Sequence, residues 1–173
     1  MSVLEKILQL LDSNGVVYKT EHHEPTRTSE DAARIRGVEL RTGAKALVIR
    51  GNKTKKHFLC VIPADLKLDG KKMKNLLGEA ISFASDPVTV TGCVPGSVPP
   101  LGSVIGLQTY CDKRLAENEF INFNAGSLTD SVRMTYLDYV RIEKPIVVDI
   151  TVSEEDQAKK LEAGSSHRET PSS

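Results

Sequence analysis

The segment from Gly92 to Gly102 combines residue types that suit a rigid binding loop. It reads GCVPGSVPPLG, with three glycines and three prolines in eleven residues. Proline fixes φ and removes a backbone donor, whereas glycine admits conformations that other residues avoid, so neither a helix nor a central strand tolerates this composition. The segment can therefore present main-chain N–H and C=O groups to a small ligand, with a simple connecting turn as the alternative.

Lys45 is a second candidate, because it interrupts an apolar strand pattern. In AKALVIR (44–50) it alternates onto the same face as Leu47 and Ile49. A lysine on such a face either extends its amine to solvent at the start of the strand or holds an anion in a cleft. The residues by themselves leave both interpretations open.

Other reactive residues lack the partners that their chemistry requires. His22, His23 and Glu24 include metal-ligand types, but neighbours on a strand point to opposite faces, and neither HExxH nor a second histidine cluster is present. A nucleophile elbow of the form GxSxG is absent, and the GAK of residues 43–45 lacks the spacing of a phosphate-binding P-loop. We therefore expect neither a metal nor another cofactor.

Charge is balanced over the whole chain but unevenly distributed along it. Between Arg34 and Lys74 there are 12 basic and 3 acidic residues, an excess of +9, and the rest of the chain carries an excess of −9. Such asymmetry indicates a basic face for a polyanion on an otherwise acidic body. A solvated lysine-rich surface is the alternative.

Length and composition suit one soluble domain. The 173 residues are 39% hydrophobic and 27% charged, without an apolar run long enough to cross a membrane. Glu5 and Lys6 interrupt the apolar N-terminal stretch, which argues against a secretory signal. Three cysteines without a CxxC pair fit a reducing cytoplasm; they are Cys60, Cys93 and Cys111.

Helices and strands alternate without the regularity of βαβ units. Helical spacing and capping residues predict helices over 3–11, 28–37, 69–77 and 135–142. Apolar runs and turn signals predict strands over 16–22, 44–50, 57–63, 81–84, 104–109, 119–123, 131–134 and 146–150, with 44–63 forming a hairpin. The sequence therefore predicts a mixed α/β, α+β-like domain in which helices surround a largely antiparallel central sheet.

The predicted domain covers residues 1–150. Beyond it the chain turns polar, reading TVSEEDQAKKLEAGSSHRETPSS from residue 151 to residue 173. This composition is typical of a linker or a disordered tail.

Several segments together resemble the YbaK/prolyl-tRNA-synthetase-associated editing family, the aminoacyl-tRNA deacylases. The matching segments appear in the family's order and cover roughly residues 3–143; they are EHHEPTRTSEDAARIRG (21–37), GAKALVIR (43–50), GCVPGSVPPLG (92–102) and INFNAGSLTDSVRMTYLDY (121–139). The family fold is a mixed α/β domain around a mostly antiparallel sheet, in agreement with the elements predicted above.

The resemblance implies an editing hydrolase, which removes a wrong amino acid from the terminal adenosine of a tRNA, usually a proline tRNA. Binding discriminates poorly between compact side chains, so a second site that hydrolyses the wrong ester restores fidelity. The implied substrate is alanine on proline tRNA, with cysteine and serine left open because Asn124 and Ala125 stand where alanine-clearing members often carry His-Pro. The implied partners are the mischarged tRNA and, in cis or in trans, prolyl-tRNA synthetase; no membrane partner is expected.

The resemblance also assigns roles to residues. Lys45 matches the family's functional lysine, which would hold the 3′-terminal phosphate or orient the adenosine. Gly96 to Pro100 match the glycine-x-x-x-proline loop, whose backbone would line the aminoacyl pocket. The implied substrate-binding set is Gly96, Ser97, Val98, Pro99, Pro100, Thr26, His22, Asn124, Gly126 and Ser127.

Hydrolysis in this family needs neither a metal nor a covalent nucleophile. A bound water, positioned by backbone groups and the adenosine's free hydroxyl, attacks an ester that is already activated, while donors stabilise the oxyanion. The basic excess then gains a partner in the phosphates of the acceptor stem, which implies strong salt dependence. Its predicted tRNA-binding residues are Lys53, Lys55, Lys56, Lys71, Lys72 and Lys74. The alternative function is a non-catalytic module that binds tRNA or aminoacyl-adenosine.

Overall fold

Residues 1–153 are described by a computed structural model. Within this range the helices are α1 (Val3–Ser13), α2 (Ser29–Arg36), α3 (Gly70–Leu77), α4 (Pro87–Thr91), α5 (Gly102–Ile105) and α6 (Tyr136–Glu143). The strands are β1 (Tyr18–His22), β2 (Ala44–Gly51), β3 (His57–Pro63), β4 (Ile81–Phe83), β5 (Thr109–Asp112), β6 (Phe120–Asn124), β7 (Asp130–Thr135) and β8 (Ile146–Val148). None of the helices in this range is long and apolar enough to span a membrane.

The helices begin where capping side chains satisfy their first free N–H groups. Ser2 accepts from the Glu5 N–H in a reciprocal capping box, Thr28 accepts from the Asp31 N–H, and Asp69 accepts from the Lys71 and Lys72 N–H groups. Gly37 ends α2 in the left-handed conformation. These local signals explain why the predicted helix boundaries agree closely with the structure.

The strands form two sheets rather than one central sheet. One has the order β1-β7-β6 and is antiparallel throughout. The other has the order β4-β2-β3-β5-β8, antiparallel at β4-β2 and β2-β3 but parallel at β3-β5 and β5-β8. A bridge between Gly43 and Asn122 joins the two sheets. The prediction of a mixed α/β domain with largely antiparallel pairing is confirmed.

The predicted strand over 104–109 is wrong. Helix α5 occupies Gly102–Ile105, and β5 begins only at Thr109. The Gly102 N–H donates to Thr109 Oγ1 at 3.1 Å, and the Leu107 N–H donates to the Gly102 carbonyl at 2.9 Å. A short apolar run does not reveal whether it is helical or extended, and here a tight turn decided the outcome.

Two apolar clusters hold the domain together. The larger joins the inner faces of both sheets to α1 and α6 and includes Ile7, Val61, Phe123 and Tyr139. The smaller lies on the opposite face of β2 and β3, where α3 inserts Met73. Alternation along a strand places Val61 in the larger cluster and its neighbours Cys60 and Ile62 in the smaller.

Domain contacts continue past residue 150. Thr151 is fully buried and pairs with Leu68, and the Val152 N–H donates to the Lys67 carbonyl at 2.9 Å. The first two residues of the predicted tail therefore belong to the folded domain. The rest of the predicted linker, from residue 154 to residue 173, lies outside the described residues.

Gly102→Ala is expected to destabilise the domain by roughly 3 kcal/mol, because the added carbon overpacks a closed turn. A Cβ at this position would lie 2.2 Å from both the Leu107 carbonyl oxygen and Thr109 Oγ1. Gly78→Ala is a suitable control, since no atom lies within 4 Å of its Cβ position and only the left-handed φ of +77° opposes it. Urea unfolding of both variants measures the difference, and equal midpoints would contradict the expectation.

Candidate active site

A cavity of about 440 Å³ lies where the two sheets meet. Its walls come from the start of β2, the facing side of α2, the end of β6 and the proline-rich loop. The bridge between Gly43 and Asn122 crosses its base and ties β6 to the chain entering β2. This size falls within the range of roughly 300–1,000 Å³ typical of small-molecule sites.

Lys45 lines this cavity from the second position of β2. The residue is solvent-exposed, and within residues 1–153 its amine has no hydrogen bond or ion pair. Ala44, Ala46 and Leu47 line the cavity beside it. The cation is therefore available to a ligand, and the surrounding side chains are small enough to leave space.

The proline-rich loop is held in place by hydrogen bonds along its length. The Ser97 N–H and hydroxyl both donate to the Val94 carbonyl, at 3.0 and 2.7 Å. The Gly126 N–H donates to the Ser97 carbonyl at 3.0 Å, and the Tyr139 hydroxyl donates to the Pro100 carbonyl at 2.8 Å. Gly96 adopts a φ of +85°, which glycine tolerates at little cost. Contacts within the protein thus fix the conformation of the loop.

Asn124 connects this loop to the opposite wall of the cavity. Its amide nitrogen donates to the Gly96 carbonyl at 2.7 Å and to Thr26 Oγ1 at 3.2 Å. Its amide oxygen accepts from the Arg36 guanidinium. Both amide protons and the oxygen are engaged, so the side chain is fixed in orientation as well as in position.

Arg36, at the end of α2, organises the floor of the cavity, and the sequence analysis did not select it. Its Nε donates to Ser131 Oγ at 2.9 Å, one terminal nitrogen donates to Asn122 Oδ1 at 2.8 Å, and the other donates to Asn124. All three acceptors are neutral. The sequence signal that could have indicated a polar partner such as Arg36 is INFN (121–124). Its two asparagines face the same side of a buried strand and need hydrogen-bond partners.

The Arg36 guanidinium makes no ion pair within 4 Å in the part of the chain that the structure describes. Burial lowers its pKa to about 10, against a weaker opposing effect of the Glu21 carboxylate. The side chain therefore remains a cation at neutral pH. Five N–H donors serve three acceptors here, which leaves two donors for a ligand.

His23 extends the network behind Arg36. Its Nδ1 lies 2.8 Å from the Glu24 carbonyl oxygen, which only accepts, so Nδ1 carries the proton. In the neutral ring Nε2 then accepts from the Ser131 hydroxyl at 2.6 Å. Ser131 in turn accepts from Arg36, so the histidine orients this hydroxyl for the arginine.

Comparison with known proteins identifies the family that has this cavity-forming domain. The family model of the aminoacyl-tRNA editing domain matches residues 23–142, which contain all four walls of the cavity. The chain belongs to the aminoacyl-tRNA editing domain family. The resemblance inferred from the sequence is therefore confirmed.

Relatives agree with this assignment. The chain is 34% identical over 151 residues to the multifunctional Ser/Thr-tRNA deacylase ProXp-y of Escherichia coli K12, covering 84% of this chain and 90% of that protein. It is 24% identical to the prolyl-tRNA editing protein ProX of Acetoanaerobium sticklandii, covering 83% and 92%. A solved structure described as a proposed trans-editing enzyme for prolyl-tRNA synthetase superposes with a TM-score of 0.76 at 24% identity, covering 88% and 99%, and shows the same fold.

The editing domain brings only some of the predicted residues into the cavity. Lys45, Thr26, Gly96, Val98 and Asn124 line it. Gly126 packs against α1, where an added Cβ would lie 2.8 Å from Val3. The loop residues Ser97, Pro99 and Pro100 are buried and do not line the cavity. The predicted substrate-binding residues outside the lining are Ser97, Pro99, Pro100, His22, Gly126 and Ser127.

His22 and Ser127 share a carboxylate instead of contacting the cavity. His22 Nδ1 lies 2.9 Å from Asp130 Oδ1, and the Ser127 hydroxyl donates to Asp130 Oδ2 at 2.6 Å. The hydrogen bond from His22, followed by that from Ser127, lowers the pKa of Asp130. The carboxylate, rather than the histidine, occupies the middle position and contacts the Ser127 hydroxyl, so the arrangement lacks the serine–histidine pair of a nucleophilic triad.

Cysteine nucleophiles are also disfavoured in this editing domain. Burial raises the pKa of Cys60 and of Cys111 to about 12, and burial is also the main cause that raises the pKa of Cys93. Protonated thiols are poor nucleophiles. Within residues 1–153, no three His, Cys, Asp or Glu side chains lie together as a metal site.

None of the predicted tRNA-binding lysines lines the cavity. Lys53, Lys55 and Lys56 occupy the hairpin between β2 and β3, about 20 Å along the strand from Lys45 at roughly 3.3 Å per residue. Lys71, Lys72 and Lys74 lie on α3, which packs through Met73 on the face of the larger sheet that carries Leu47 and Ile49. Lys72 already pairs with Asp149 at 3.0 Å and with the Thr151 carbonyl at 2.8 Å. Their contact with tRNA stays a prediction.

Proposed function

We propose that this chain is an aminoacyl-tRNA deacylase that hydrolyses the ester of a small amino acid on a mischarged tRNA. The observation that carries the proposal is the cavity lined by both the Gly96 loop and the Lys45 amine, which has no partner within residues 1–153. Family membership supports the same reaction class. The relatives named as tRNA deacylase and editing protein point in this direction as well.

The residues present support a mechanism based on positioning and electrostatics. Lys45 binds the terminal phosphate or the adenosine, and the Gly96 loop places the aminoacyl group against Thr26 and Asn124. Water adds to the ester carbonyl carbon, and the bond to the ribose oxygen then breaks as that oxygen takes a proton. The remaining Arg36 donors stabilise negative charge as it develops. The products are the free amino acid and uncharged tRNA, and no group on the protein becomes covalently modified.

The cavity lining supports a small side chain, with alanine and serine as the candidates. Alanine on proline tRNA is the substrate implied by the family resemblance, and Val98 and Ala46 offer apolar surface to it. Thr26 Oγ1 and the Asn124 amide add a polar wall that a serine hydroxyl can approach. Similarity to a protein named Ser/Thr-tRNA deacylase supports the hydroxyl amino acid. Partnership with prolyl-tRNA synthetase and cytoplasmic location stay predictions.

Incubation with purified mischarged tRNAs tests the function. We expect alanyl- and seryl-tRNA(Pro) to be deacylated at rates within about a hundredfold of each other, because pockets discriminate weakly against an added hydroxyl. Cysteinyl- and threonyl-tRNAs complete the panel, and prolyl-tRNA(Pro) serves as the correctly charged control that must survive.

The competing function is a non-catalytic module that binds tRNA ends. It is favoured by Asn124, which replaces a titratable histidine with a side chain fully engaged within the protein. Measurable binding of mischarged tRNA without release of any amino acid would establish that module and overturn the hydrolase.

A further inference from the structure

The outer face of the β1-β7-β6 sheet carries a second, smaller hollow of about 120 Å³. Strand register places Lys19 opposite Arg133 and Arg133 opposite Asn122, so these three residues form one row across the sheet. The next row contains Glu21, Ser131 and Asn124. Arg36 from α2 lies over both rows and lines this hollow as well as the larger cavity.

Positive charge predominates in this hollow. Lys19, Arg36 and Arg133 line it together with a single carboxylate, Glu21. None of the three cations forms an ion pair within 4 Å in residues 1–153. Glu21 acts on Arg36 only as a longer-range charge. The local excess is therefore two positive charges, although the protein as a whole is neutral.

The two outer cations are already positioned for a ligand. The Arg133 guanidinium lies over the Phe120 ring, 4.4 Å from its centroid, and its N–H groups have no hydrogen-bond partner within residues 1–153. Lys19 stands beside it on β1, and both residues are exposed. Arg36 is only partly exposed, and its neutral acceptors Asn122, Asn124 and Ser131 leave its positive charge without an anionic partner within residues 1–153.

We propose that this hollow binds a phosphodiester group of the substrate RNA, close to its aminoacylated 3′ end. The inference rests on the proposed function for the identity of the RNA. Arg36 forms the shared wall between the two spaces, so a chain whose terminal adenosine occupies the cavity can place a neighbouring phosphate against Lys19 and Arg133. The RNA track thus begins on the smaller sheet, whereas the lysine hairpin lies about 20 Å away along β2.

The test is binding of uncharged, CCA-ending RNA, which requires no hydrolysis. Lys19→Gln/Arg133→Gln is expected to weaken binding roughly tenfold at low salt and to reduce the slope of log affinity against log salt by about 0.7, the contribution of one single-strand phosphate contact. Lys6→Gln/Lys113→Gln is the matched control, because it removes the same charge from two exposed positions outside both spaces. Thermal unfolding confirms that all variants are folded.

The outcomes separate this inference from the proposed function. Competition of inorganic phosphate with RNA in the wild-type protein, lost in Lys19→Gln/Arg133→Gln, supports phosphate recognition at the hollow. Unchanged RNA affinity and salt slope in that variant, or an equal loss in the control, would overturn the inference even if the protein deacylates tRNA. If inorganic phosphate binds tightly at the hollow and RNA binding is unaffected, the hollow recognises free phosphate, and the assignment of its ligand to RNA is overturned. A loss confined to Lys53→Gln/Lys55→Gln would place the RNA on the hairpin instead.

Discussion

Lys45→Ala should lower the deacylation rate by about a thousandfold while leaving the free energy of unfolding within roughly 0.5 kcal/mol of the wild type. The amine has no partner within residues 1–153, so its removal leaves no buried group unsatisfied. It is also the cavity-lining cation at the start of β2, where a phosphate or adenosine must be held for the ester to reach the loop. Single-turnover kinetics on alanyl- and seryl-tRNA(Pro) measure the effect.

Lys45→Arg provides the matched control. It keeps the charge but exchanges a compact ammonium for a planar fork, so partial activity is expected if a point charge is what the substrate needs. If Lys45→Ala deacylates at the wild-type rate, the protein is still a hydrolase, but Lys45 is not part of its active site.

Arg36→Met should lower deacylation by about a hundredfold and destabilise the domain by roughly 3 kcal/mol. Removal of the guanidinium leaves acceptors on Asn122, Asn124 and Ser131 without their donor. Asn124 is then free to rotate, and its bond to the Gly96 carbonyl no longer fixes the loop against the opposite wall. Activity falls because the substrate cradle loses its geometry and the oxyanion loses a nearby cation.

Arg36→Lys distinguishes positioning from charge alone. A lysine restores the positive charge but cannot serve three acceptors through a rigid fork. We expect Arg36→Lys to recover much of the affinity for tRNA, read as KM, without recovering kcat. Full recovery of kcat would show that the charge suffices, and an unaltered kcat in Arg36→Met would exclude Arg36 from the reaction. Urea unfolding, measured in parallel, identifies the part of each effect that is structural.

The contrast between Lys45 and Arg36 marks the limit of reading this chain locally. Lys45 stands out because a charge interrupts an apolar alternation, which is visible within seven residues of sequence. Arg36 closes an ordinary helix and looks like a favourable residue for the helix dipole. Its importance comes from partners on β6 and β7, 86 to 95 residues further along the chain.

The proline-rich loop shows the same limit of predicting from local sequence. Its stiffness was predictable, because Gly and Pro restrict the backbone by local sterics wherever they occur. Which of its residues face the ligand was not, because Gly96 and Val98 line the cavity while Ser97, Pro99 and Pro100 are buried behind it. Residues 104–109, which follow it, were assigned to a strand because a short apolar run does not reveal the turn that closes between the Gly102 N–H and Thr109 Oγ1.

The sequence by itself determined most helix caps, the hairpin and the rigid loop, since each depends on residues close together in the chain, and it determined the fold class and the family through the order of such local segments. Only the tertiary structure decided that the strands form two sheets, that their junction encloses the cavity, and that Arg36 connects Asn122, Asn124 and Ser131 within it. The physical reason is that side-chain networks across sheets are set by long-range pairing and register. A change of one residue in register would turn Asn122 and Asn124 to the other face, and no short stretch of sequence encodes that choice.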